Sequence, residues 1–229
     1  MPSPHLIAHS SPAACAIVFE DESLVVVDKP SGLLATPTID PRRPSVVGLL
    51  AARAPGAALH AVHRLDRLAS GLFVIAKTGE ATRSLARQIA AHTMRREYAV
   101  VVAGRFPGDR WTLAHPIGGR PAVTHFAVEE RLGTRATRLR CRLETGRTHQ
   151  IRIHARVVGH PVLGDRVHGT LTDVDPPRLA LHAATLAFVH PRTHVRVTFE
   201  SAWPDDLGAW LASRRGETSS DLPSLPRSP

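Results

Sequence analysis

The stretch His63-Arg64-Leu65-Asp66-Arg67-Leu68-Ala69-Ser70-Gly71-Leu72 sets one carboxylate between two guanidinium groups, in a segment that ends in Ser-Gly. An ionised carboxylate held in place can act as a nucleophile or as a base. Taken alone the pattern is ordinary, because an aspartate beside arginines is usually a surface ion pair. A second stretch, Thr145-Gly146-Arg147-Thr148-His149-Gln150-Ile151-Arg152-Ile153-His154, gathers two arginines, two histidines and a glutamine. The chain holds 14 histidines, which invites a metal-dependent hydrolase. Yet His149, His154 and His160 do not recur at i, i+4 on one helix face, and there is no His-Glu-x-x-His, so the spacing a zinc hydrolase needs is missing. Cys15 and Cys141 stand far apart, which gives neither a metal pair nor a disulfide framework. The formal charge of +9 suits a polyanionic partner. Its weight is modest: the only lysines are Lys29 and Lys77, and an Ala-rich, Arg-rich chain also follows from a GC-rich genome.

The elements that must position these residues can be read from periodicity. Leu24–Lys29, Leu72–Lys77, Glu97–Ala103 and Thr137–Leu143 read as strands, and Leu179–Val189 with His194–Phe199 as a closing pair around Pro191. Ser45–Ala54, Glu80–His92 and Thr148–Val158 read as helices, the last with Thr148 as its cap and Gly159 as its stop. Strands outnumber helices and do not alternate with them strictly. The expected fold class is therefore α+β, with a largely antiparallel mixed sheet, flanking helices and a central cleft. Residues 1–15 read as a flexible arm, 16–213 as one catalytic domain, and the Ser/Pro-rich 214–229 as a disordered tail. No secretory leader and no apolar run of about 20 residues is seen, so the expectation is a soluble cytoplasmic protein.

In order along the chain stand Lys29-Pro30-Ser31-Gly32-Leu33-Leu34, His63-Arg64-Leu65-Asp66 with Ser70-Gly71-Leu72, and Glu97-Tyr98-Ala99-Val100-Val101. The Thr145–His154 stretch, Gly159-His160-Pro161-Val162-Leu163-Gly164-Asp165 and Leu181-His182-Ala183 follow. Together these motifs resemble the RluA-type family of pseudouridine synthases, over roughly residues 16–205. Each motif alone is a hint; their shared order is specific. The family usually carries a hydroxyl residue where this chain has Ala69, so one hydrogen bond within the loop is expected to be lost. Its larger members carry an N-terminal RNA-binding module, for which residues 1–15 are too short, and the resemblance is to the compact members.

The resemblance implies a cofactor-free isomerase of uridine in ribosomal or transfer RNA, working as a monomer on a stem-loop by flipping out the base. It implies that Asp66 is the catalytic carboxylate, Tyr98 a platform for the flipped uracil, and Arg152 the cation that keeps Asp66 ionised. Arg64 would fill the vacated space or contact phosphate, and Arg147, at the helix entry, would bind phosphate. On sequence alone the roles of Arg147 and Arg152 are interchangeable. Leu181 and Ile151 would support the uracil. Alternation adds a separate expectation: Arg138, Arg140 and Arg142 share one strand face and form a stripe suited either to RNA phosphates or to plain solvent. Two other readings compete, a metal-dependent nuclease and an RNA-binding protein without catalysis; the second is disfavoured by the joint presence of Asp66, Tyr98 and Arg152.

Overall fold

A computed structural model describes residues 15–40, 42–171 and 175–215. Most of the expected arm and tail, residues 1–14 and 216–229, lies outside them. Strands β1 (Ala16–Glu20), β2 (Leu24–Lys29), β3 (His60–Ala61), β4 (Ser70–Ala76), β5 (Arg95–Ala103), β6 (Arg110–Ala114), β7 (Val123–Leu132), β8 (Ala136–Leu143), β9 (Leu181–Val189) and β10 (Arg196–Glu200) form one sheet. Its order is β1-β2-β4-β9-β5-β8-β7-β6, with β10 paired to β9 and β3 to β4. Helices α1 (Val46–Arg53), α2 (Gly79–Ala90), α3 (Gln150–Val157) and α4 (Asp205–Arg215) flank it. The α+β class with a mostly antiparallel sheet is thus observed. No helix among the described residues is long and apolar enough to cross a membrane.

The continuous apolar runs of β2 and β4 have a simple cause. Successive side chains point to opposite faces of the sheet, and both faces are covered. Val25, Val27, Phe73 and Ile75 enter one core cluster, while Leu24, Val26, Leu72 and Val74 enter the other. The alternation in β8 is equally physical: Leu139, Cys141 and Leu143 are buried, whereas Arg140 and Arg142 on the other face are exposed. Ser45 caps α1 by accepting from Gly48 N at 3.1 Å, as its type requires.

One pairing departs from antiparallel, and it sets up the site. β4 runs parallel to β9, with Ser70 opposite His182 and Gly71 opposite Ala183. The backbones approach so closely that a Cβ on Gly71, at φ +110°, would lie 2.3 Å from the Ala183 carbonyl oxygen. β9 in turn places Ala183 opposite Tyr98 of β5. The loop entering β4, the start of β9 and the middle of β5 therefore converge.

Candidate active site

Asp66 sits in the irregular segment between β3 and β4, and that segment is held by its backbone carbonyls. Lys29 is fully buried, and its ammonium donates to the carbonyls of Pro30, Leu33, Arg67 and Ala69 at 2.9, 2.9, 3.2 and 2.6 Å. Ser31 Oγ donates to Leu68 O at 2.6 Å, and Gly32 N to Arg67 O at 2.8 Å. The turn after β2 thus grips the aspartate loop from three consecutive carbonyls. Ala69 itself is buried, and its own carbonyl is the shortest of the Lys29 contacts. Support for the loop comes from this clamp, so no hydroxyl at position 69 is needed to hold it. Burial pulls the Lys29 pKa down to about 8 against the pull of nearby charges, which still leaves an ammonium at neutral pH.

Arg152 reaches Asp66 from α3. Its Nη1 lies 3.2 Å from Asp66 Oδ2, across 86 positions of sequence. The other side of the guanidinium is gripped by Asp165, with Nε to Oδ2 and Nη2 to Oδ1 both at 2.7 Å. Asp165 Oδ1 also accepts from the backbone N–H groups of Val167 and His168 at 2.9 and 3.0 Å. Burial raises the Asp165 pKa, but Arg152 and the two N–H donors outweigh it and bring it down to about 2. Burial likewise opposes the charged form of Arg152, and its bonds to Asp165 and Asp66 reverse that, so its pKa rises. Asp66 keeps 21% of its side chain exposed, against 3% for Arg152. A carboxylate held by a buried cation yet open on one side can meet a substrate.

The helix that carries Arg152 begins one residue later than the expected Thr148 cap. Its N-cap is His149, in the left-handed region at φ +56°, with no side-chain cap bond. Gln150 does the capping work: its Oε1 accepts from Arg147 N at 2.9 Å and Thr145 Oγ1 at 2.8 Å, and its Nε2 donates to Val123 O and Thr124 Oγ1 at 3.0 Å. His149 is left facing Asp66, Nε2 to Oδ1 at 4.0 Å, while its Nδ1 meets His168 Nε2 at 2.8 Å.

Asp66 lies on the wall of a cavity of about 630 Å³, which Tyr98, Leu181, Ile151, Arg64 and Arg147 also line. That volume falls in the range of small-molecule sites. Tyr98 is buried, and burial first, then Asp66, push its phenol pKa up despite the opposing Arg96. Arg64 is exposed at the rim, 3.4 Å from Thr148 Oγ1. Arg147 donates from Nε to Pro121 O at 2.9 Å. Of the two interchangeable arginines, Arg152 is the one that meets Asp66.

Arg138, Arg140 and Arg142 do not join this group. Leu143 lines the cavity, and strand alternation turns the three arginines to the other face of β8. There Arg138 and Arg140 approach Glu129 at 3.4 and 3.6 Å, and Arg138 lies over the Trp203 ring at 5.5 Å. Sequence reasoning quoted Lys29, His63 and Asp165 within motifs but gave them no role, and it missed Arg96. The signal for Arg96 was present: it stands two residues before Tyr98 on one strand and shares its cavity.

A sequence profile described as RNA pseudouridylate synthase matches residues 23–156. The chain is 40% identical over 225 residues to ribosomal large subunit pseudouridine synthase D of Nitrosomonas europaea, covering 87% of this chain and 65% of that protein. It is 36% identical over 227 residues to an uncharacterized RNA pseudouridine synthase of Bacillus subtilis, covering 90% and 75%. Its fold matches the solved structure of human RNA Pseudouridylate Synthase Domain Containing 1 with a TM-score of 0.70 and 25% identity, over 89% of this chain and 90% of that one. The chain spans 65% of the Nitrosomonas protein's length and 64% of the like-named protein of Neisseria meningitidis. A profile match that includes Asp66, Tyr98 and Arg152, joined to relatives of this similarity, shows that the chain belongs to the RNA pseudouridylate synthase family, in its RluA-type branch.

Proposed function

We propose that this chain converts uridine to pseudouridine in RNA, with Asp66 acting on the sugar of a nucleotide whose base is flipped into the cavity. The observation that carries the reading is the Asp66–Arg152 contact of 3.2 Å on the wall of a cavity that Tyr98 also lines. The reaction breaks the C1′–N1 bond, turns the base and joins C1′ to C5. It changes no oxidation state, so the roles to be filled are a carboxylate at the sugar and a walled space for the loose base. Asp66 supplies the first. Tyr98, Leu181 and Ile151 supply apolar and aromatic walls for the second. Arg64 and Arg147 stand where the flanking phosphates or the gap left by the base would come. A base inside a stacked helix does not offer its reacting atoms to a side chain, which is why the nucleotide has to leave its stack.

The names of the Nitrosomonas and Neisseria relatives make large-subunit ribosomal RNA the first substrate to test, with transfer RNA as the alternative. The enzyme is proposed to act as a cytoplasmic monomer. The test is to incubate the purified protein with ribosomal and transfer RNA that lack modifications and to map pseudouridine after reaction. The reading expects new pseudouridine at one or a few discrete uridines. No new pseudouridine in either RNA class would overturn it.

A further inference from the structure

The cavity holds a second buried guanidinium that lacks the carboxylates the first one has. Arg96 is 5% exposed and lines the cavity with Tyr98 and His63. It lies against Gly146, where an added Cβ would come within 2.8 Å of Arg96 Nη1 and make the guanidinium shift. Its side-chain hydrogen bond is a 3.3 Å contact from Nη2 to the backbone carbonyl of Glu144. Its Nε is shielded from water and has no partner. Among the described residues no carboxylate pairs with it: the Glu144 side chain turns to His125 at 2.6 Å, and Glu97 to Arg95 at 2.9 Å. Burying a charge without a counter-charge is costly, so an anion that entered the cavity beside Arg96 would relieve that cost. The neighbours do not supply one. His63 is held neutral by burial and by Arg96 itself, with its pKa near 3, and Tyr98 is held as the neutral phenol. Asp66 is engaged by Arg152.

We propose that Arg96 binds the carbonyl oxygens of the flipped uracil and stabilises the negative charge that the ring carries once it is detached. This inference rests on the pseudouridine synthase reading above. When the C1′–N1 bond breaks, its electron pair stays on the base, which becomes an anion with charge shared among N1, O2 and O4. The sugar is balanced either by a new bond from the Asp66 carboxylate to C1′ or by loss of the 2′ proton to that carboxylate. After the ring turns, C5 bonds to C1′ while Asp66 leaves C1′ or returns its proton to C2′. The C5 proton then departs to a base and N1 takes one up, so the product is an isomer and no co-reactant is used. Both routes pass through the same anion, and a fixed cation beside it acts only where charge develops.

The experiment compares wild type, Arg96→Lys and Arg96→Met in single turnovers at saturating RNA. The RNA is one that wild type modifies, with uridine or 5-fluorouridine at the target, and loss of the N-glycoside is followed. Fluorine makes the base a better leaving anion and lessens the need for a cation. Arg96→Met should slow the uridine substrate by about 10²- to 10³-fold with a far smaller loss of RNA affinity, Arg96→Lys should recover part of the rate, and both deficits should shrink on 5-fluorouridine. A deficit of equal size on the two substrates marks a residue that only packs against Gly146 and overturns the proposal, as does a Met variant as fast as wild type. If the Met variant does not fold, the Lys variant carries the same comparison. Wild type that forms no pseudouridine brings down the functional reading and this proposal with it; active wild type leaves only the role of Arg96 at stake.

Discussion

Asp165 grips Arg152 with both carboxylate oxygens at 2.7 Å, a shorter and two-point contact than the single 3.2 Å bond Arg152 makes to Asp66. A bidentate pair fixes the plane of the guanidinium. Arg152 is therefore aimed by Asp165, and Asp66 is aimed by Arg152. Asp165 is wholly buried and touches Arg152, not Asp66.

Asp165→Asn should leave the N–H contacts of Val167 and His168 partly served but loosen the arginine. The single-turnover rate is expected to fall by about 10- to 100-fold, as for a small misplacement of a reacting group, with RNA affinity unchanged. Arg152→Ala strands a buried carboxylate and should cost about 3–5 kcal/mol of stability, read from urea unfolding. Asp66→Asn, at a partly exposed position, should cost far less.

Acid should weaken the fold in two windows of the same sign. The His63 pKa is near 3 in the folded chain and 6.5 ordinarily, so the unfolded chain takes up the extra proton between those values. Stability is intact above pH 6.5 and declines as pH falls toward 3. Asp165, brought down to about 2 from 3.8, contributes stability above pH 4 that is lost as pH falls toward 2. Melting temperatures from pH 7 to pH 4 should fall in wild type and stay flatter in His63→Gln; identical slopes would remove His63 from this account.

Replacing the buried ammonium in Lys29→Met leaves carbonyls of the aspartate loop without a donor. Each buried acceptor left unsatisfied costs about 1–3 kcal/mol. The variant should melt at lower temperature, and hydrogen exchange across residues 64–69 should quicken. Turnover at saturating RNA should fall more than affinity does, because the loop loses its aim before the rim loses its cations.

Two sets of arginines give opposite expectations. Arg64→Ala with Arg147→Ala, at the cavity rim, should weaken RNA binding and lower the slope of log K against log salt by about one per lost contact. Arg138→Ala with Arg140→Ala, on the other sheet face beside Glu129, should leave that slope near wild type. Equal losses would mean that RNA wraps round the sheet edge to the far face.

Much of the fold was legible because its central strands are simple to read. Leu24–Lys29 is strand as expected to the residue, and the alternation of Leu139, Cys141 and Leu143 against the arginines is the alternation of core and surface. Of the unread elements, β1 (Ala16–Glu20) and β7 (Val123–Leu132) carry an apolar or alternating pattern and were passed over, whereas two others lack that signal. β6 is an exposed edge strand carrying Arg110 and Trp111, and α4 is mostly polar outside Leu207 and Leu211. The pairing of Asp66 with Arg152 was implied by the family resemblance, with Arg147 open as the alternative, since nothing local links residues 86 apart. Asp165 was part of a quoted motif but had no partner in sight until α3 brought Arg152 to it. The orientation of the arginine stripe needed the cavity to be located first: alternation gives two faces but not which of them holds the site.

The most direct measurement is pseudouridine formation in single turnovers by Asp66→Asn, Arg152→Ala and the double variant, with RNA affinity measured alongside. Asp66→Asn should lose about 10⁴-fold or more of the rate, as when a central catalytic residue is removed, while keeping most of its RNA affinity. Arg152→Ala should lose less, and the double variant should be scarcely worse than Asp66→Asn, as for residues that act as one unit. Wild-type turnover by Asp66→Asn would contradict the assignment outright, and losses that multiply in the double variant would contradict the coupling of Asp66 to Arg152.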